Sequence, residues 1–141
     1  MAAIKIESGK WAAMWFPKVA STAFSPDSLL MISNGFVRPA TSVAGAEHST
    51  VAGVYQGALI TSADTTTALI RVMVPQGAAQ VRATGISGTL EVASLGSQTD
   101  MYDAQIVNAN YSTYGPLTCT KYISATEGLF VISKSVYSNV A

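Results

Sequence analysis

Charge is scarce along these 141 residues. Eight Lys plus Arg and eight Asp plus Glu make up 11% of the chain and cancel to a formal net charge of zero, where an ordinary soluble domain carries about 25% charged residues. With no basic excess to neutralise phosphates or anionic headgroups, neither nucleic acid nor a membrane surface is an expected partner. Cysteine is limited to Cys119, which excludes an internal disulfide and leaves no sign of dependence on an oxidising compartment. Histidine is limited to His48. One His and one Cys cannot build a conventional transition-metal site, so no metal and no cofactor is expected. Long apolar runs are missing too: stretches such as Trp11–Pro17 fall far short of the ~20 residues that span a bilayer. Met1–Lys10 reads MAAIKIESGK, without the apolar core of a secretory signal. The expectation is a protein made in the cytoplasm that acts there or leaves as part of something larger.

What remains is apolar and rich in β-formers. Apolar residues reach 49% and the mean hydropathy is +0.33, too apolar for a disordered chain. So little charge leaves a free monomer prone to associate, and part of the surface reads as made for contact with other chains. Val, Ile and Thr total 36 and Ser plus Thr total 30, a bias towards side chains that suit pleated strands and turns. Eleven Gly and five Pro, spread along the chain, leave few windows in which a regular helix fits.

The strands follow from alternation and turn residues. Ser28–Ser33, Asn34-Gly35 and Phe36–Arg38 read as a hairpin, because both central residues tolerate φ > 0. Val51–Ile60 reads as a longer strand in which Gly53 and Gly57 mark a bulge, a barrel corner or a close backbone approach. Ala68–Val74 alternates, with Ile70, Val72 and Val74 on one face and Leu69, Arg71 and Met73 on the other, and Pro75 is expected to end it. Ala79–Thr84, Thr89–Ala93, Ala104–Asn110, Leu117–Ile123 and Gly128–Lys134 complete the set, with turns at Gly85–Gly88, Gly96–Asp100, Gly115-Pro116 and Thr126–Gly128. Thr99–Asp103 is the one further helical candidate, a single turn capped by Thr99. The sum is an all-β antiparallel barrel or sandwich of about eight or more short strands, one domain over residues 19–141.

Residues 1–18 stand apart, holding three of the five lysines and both tryptophans. They are either the first element of the fold, strand or short helix, or an N-terminal arm that docks on another protein. In the second case Trp11, Met14, Trp15 and Phe16 are the candidate contact residues, since Trp and Met concentrate at buried interface centres. Candidate chemistry is thin. Cys119 reads as a small buried hydrophobe and His48 as a solvated loop residue. Asp100 and Asp103, three apart on a helical turn, would share a face and could act as an acid/base pair or hold Ca²⁺, or simply favour the turn's dipole. Exposed tyrosines among Tyr102, Tyr111, Tyr114, Tyr122 and Tyr137 could form a sugar platform, but cross-strand packing explains them as well. No catalytic set is placed, and the chain is not expected to be an enzyme.

The order of these segments resembles the small β-barrel decoration, or cement, proteins of tailed bacteriophages. The residues that carry the resemblance are Phe24-Ser25-Pro26-Asp27, Asn34-Gly35, Pro39-Ala40-Thr41, Val51-Ala52-Gly53-Val54, Asp64, and Arg71-Val72-Met73-Val74-Pro75. Later come Leu95-Gly96, Asp100-Met101-Tyr102-Asp103 and Val107-Asn108. The match runs over roughly residues 14–134. It implies a non-enzymatic virion protein on the capsid surface, with the major capsid protein and copies of itself, most naturally as a trimer, for partners. A tail or head-closure component and a carbohydrate-binding β-domain are the competing expectations.

Overall fold

The computed structural model describes residues 2–41, 50–110 and 115–133, and the fold is all-β. Its strands are β1 (Ile4–Pro17), β2 (Ser28–Ser33), β3 (Phe36–Pro39), β4 (Val51–Tyr55), β5 (Leu69–Ala83), β6 (Ile86–Ser87), β7 (Gln98–Asp103), β8 (Ile106–Asn108), β9 (Leu117–Ser124) and β10 (Glu127–Ile132). They join in one curled sheet in the order β3-β2-β4-β5-β10-β9-β7-β8-β6, with β1 paired to β5 off that path.

The sheet curls because β5 serves two neighbourhoods. Met73 pairs with Val54 of β4 on one edge and Ala13 of β1 on the other, while Gln80–Ala83 pair with Val131–Gly128 of β10. Alternation then fills two cores. Met14 and Phe16, Ile70, Val72 and Val74, Ala52 and Tyr55, Leu30 and Ile32, and Val37 come from β1, β5, β4, β2 and β3 and meet in one cluster, plugged by Phe24 and Ile60. Lys18 and Val19 bring the end of β1 against Val37 of β3, which draws these five strands towards a small barrel. The opposite faces of β2 and β4 send Leu29, Met31, Val51 and Val54 into a second cluster with Val81, Ala83, Phe130, Cys119, Leu117 and Met101.

The β2–β3 hairpin forms as expected. Asn34 (φ 53°) and Gly35 (φ 84°) are its two turn residues, and Ser33 faces Phe36 directly across it. Gly53 marks a close approach: a Cβ there would lie 2.1 Å from the Met73 carbonyl oxygen.

Other expectations are corrected. The strand beginning at Val51 stops at Tyr55 instead of reaching Ile60, because the chain turns at Gln56–Ala58 to receive the Tyr55 hydroxyl. Pro75 does not end its strand: β5 runs on through Gly77 to Ala83. Between Met73 and Gln80 no described strand pairs with the β5 edge away from β1, so a missing N–H is tolerated there. Two of the strands, β1 and β5, are therefore long. Thr89–Ala93 is not a strand. Leu90 alone is buried, and Glu91 and Ser94 cap each other around a 3₁₀ turn at Val92–Ser94. Thr99–Asp103 is not helical. It lies in β7, paired to β9 at Gln98 and Thr99 and to β8 from Asp100 on, and two ladders outweigh one cap. Gly85–Gly88 is not a turn, since Ile86 and Ser87 form β6, parallel to β8 and an exception to the antiparallel pattern. Only Ile106–Asn108 of the segment Ala104–Asn110 is strand.

These two glycines separate conformational from steric cost. Gly35→Val has open space around it and should cost about 1 kcal/mol, the strain of a left-handed turn position. Gly53→Ala must displace backbone and should cost at least ~2 kcal/mol more. Urea denaturation of both variants checks the order, and equal midpoints would contradict it.

Candidate functional site

Strand pairing decides which of the N-terminal apolar residues are available. In β1 the even positions Met14 and Phe16 pack against the barrel cluster. Trp11 packs against the other cluster, and its indole N–H donates to the Ser8 carbonyl at 3.0 Å. Trp15 is the exception, at 62% exposed. Its cross-strand partner is Arg71, and the next pair on the same face is Pro17 with Leu69, itself 61% exposed. Of the four candidate contact residues, then, three are held by the fold and Trp15 alone stands out.

Trp15, Leu69 and Arg71 border a shallow depression of about 250 Å³. Because β5 lies between β1 and β4, Leu69 and Arg71 form its floor. Trp15 forms one wall, and the chain leaving β4 at Gln56 and Gly57 forms the other. That second wall is braced. The Tyr55 hydroxyl donates to the Ala58 carbonyl at 2.5 Å, its ring meets Phe24 edge-on with centroids 6.1 Å apart, and the ring fills the space a side chain at position 57 would need. Burial pushes the Tyr55 phenol above its ordinary pKa, so it stays a donor.

A second brace lies at the base of the loop leading into β5. Lys18, 1% exposed, donates from Nζ to the Thr66 carbonyl at 2.7 Å and pairs with Asp64 at 3.4 Å. The Thr66 hydroxyl and amide donate to the same Asp64 carboxylate, at 2.7 and 2.9 Å. These Thr66 bonds, then Lys18, hold the Asp64 carboxyl below the usual carboxylate range.

The remaining candidates disperse. Asp100 and Asp103 do not share a helical face: Asp100 accepts from the Gly115 amide at 2.8 Å and Asp103 from the Gln105 amide at 2.8 Å. Cys119 is buried in the core, which raises its thiol pKa. Tyr102 is half exposed and Tyr122 packs on the core, while His48, Tyr111, Tyr114 and Tyr137 lie outside the described residues. Among the described residues no three His, Cys, Asp or Glu side chains converge on one point. Arg71 and Leu69 were legible as one strand face in the sequence, but nothing local placed Trp15 beside them. No protein-family model, curated protein or solved structure matches the chain.

The Lys18–Asp64 brace has a pH signature. A carboxyl whose folded pKa lies below its unfolded value near ~3.9 contributes stability above that value and loses it as pH falls through the folded one. The wild-type urea midpoint should therefore drop below about pH 4 more steeply than that of Asp64→Asn. Parallel curves would remove the brace from the account. Lys18→Ala should cost about 2–3 kcal/mol at neutral pH, and Lys18→Met, which refills the stem, less.

Proposed function

We propose that the protein is a non-enzymatic structural component of a tailed-phage virion, seated on the outer face of the assembled shell and holding neighbouring capsomers together. The observation that carries this reading is the exposed Trp15–Leu69 ledge on a neutral, charge-poor all-β scaffold. The order of segments that resembles decoration proteins supports it. A lattice-binding part works by covering area on several neighbours, and mass action then stabilises the lattice it binds. Covering Trp15 and Leu69 is worth about 3 kcal/mol of apolar transfer before ordering costs. Self-association, as a trimer, would multiply such contacts.

Co-sedimentation with undecorated shells tests the reading. Trp15→Ala should leave the thermal melt nearly unchanged, within about 0.5 kcal/mol, and weaken binding at least tenfold, on the order of 1.4 kcal/mol. Trp11→Ala and Phe16→Ala should act on stability instead, by about 2 kcal/mol. Deleting residues 1–16 removes nearly all of β1, the strand paired along the length of β5, and should abolish cooperative melting. Undiminished binding by Trp15→Ala would sink the assignment of this ledge.

A further inference from the structure

Arg71 lies on the floor of the depression, between Trp15 and the wall at Gln56 and Gly57, with Leu69 beside it. No described residue offers it a carboxylate. Glu7 and Glu127 hold Arg82, Asp64 holds Lys18, and Asp100 and Asp103 accept backbone amides. In water a surface guanidinium needs no partner. Once another protein covers Trp15 and Leu69, Arg71 is stripped of water with them, and a covered, unpaired cation costs more than the apolar contact returns. Whatever seats on this ledge must bring an anion, and the planar guanidinium fork fits a carboxylate in two parallel bonds.

Building on the shell-binding reading above, we infer that the ledge receives a segment of the shell protein that presents an Asp or Glu carboxylate to Arg71 and an apolar side chain to Trp15 and Leu69. A second copy of this chain is a poorer occupant. Of its exposed described carboxylates, Glu7 is paired with Arg82 and Asp103 accepts from the Gln105 amide, so offering either would break a contact already made.

The discriminating variant is Arg71→Met, which keeps the aliphatic stem and removes the charge. It is measured as the full-length chain on undecorated shells across a salt series from about 0.1 M upward, beside Trp15→Ala and Arg71→Lys. Arg71→Met should melt like wild type and bind at least tenfold more weakly at low salt. Arg71→Lys should keep part of the affinity. Wild-type binding should weaken modestly with salt and Arg71→Met binding should not. If Arg71→Met misfolds, Arg71→Gln makes the same comparison. Binding by Arg71→Met equal to or tighter than wild type, with Trp15→Ala still defective, overturns the carboxylate and leaves the shell reading standing. If neither variant affects binding, the shell reading fails at this ledge and the inference fails with it. Sedimentation of the free protein closes the remaining route: a dimer lost in both Trp15→Ala and Arg71→Met would make a second copy the occupant and overturn the inference.

Discussion

The pairing of β1 with β5 is the constraint on which the rest of the fold depends. It runs from Ile4 opposite Ala83 to Pro17 opposite Leu69, over residues some 50 to 80 positions apart in the chain. Its breaks in register, on either side of Ser8, let one ribbon serve two cores. The Ile4–Ile6 end packs with Val81 and Ala83, and the Met14–Phe16 end with Ile70, Val72 and Val74. Without β1, the stretch of β5 between its contacts with β4 and β10 would have no ladder partner among the described strands. Closing loops of this length costs entropy before any contact repays it, so folding is expected to be slow relative to a helical protein of this size.

Features whose cause is local were legible in the sequence, and features whose cause is a distant partner were not. Asn34-Gly35 announces its hairpin because two adjacent left-handed residues are a property of those residues alone. Pro75 misleads because its effect depends on whether the edge it faces is paired, which only the placement of β4 and β10 decides. Thr99–Asp103 misleads in the same way. Thr and Asp are good cap residues, but the ladders to β8 and β9 come from later in the chain. At Thr89–Ala93 the error is of the opposite kind: the apolar letters suggested a strand, and a local Glu91–Ser94 pair won because Leu90 alone had a core to enter.

The same division runs through the candidate site. A cluster of Trp, Met, Trp and Phe advertises apolar area, yet an unbroken apolar run hides its own alternation, since both faces look alike in composition. Only the register against β5 shows that Met14 and Phe16 are spent on the interior and that Trp15 is not. Leu69 at the start of β5 is exposed for a related reason. It alternates with Ile70, Val72 and Val74, which fill the barrel cluster, so its side chain lies on the opposite face of β5.

An exposed tryptophan on a mobile loop would pay for binding by being ordered; here that ordering is done in advance. Trp15 is fixed by a strand paired on both sides of it in sequence, Gly57 by the Tyr55 ring and its bond to Ala58, and the approach to Leu69 by the brace that buried Lys18 makes with Asp64 and Thr66. The bonds of these braces all lie within the chain itself, so they hold whether or not a partner is present. The ledge thus presents one shape to whatever meets it, and the ordering penalty that usually consumes much of the apolar gain at an interface falls mainly on the partner. That is why a ledge built on the two exposed side chains Trp15 and Leu69 can matter, and why the charge at its floor should weigh as heavily as its area.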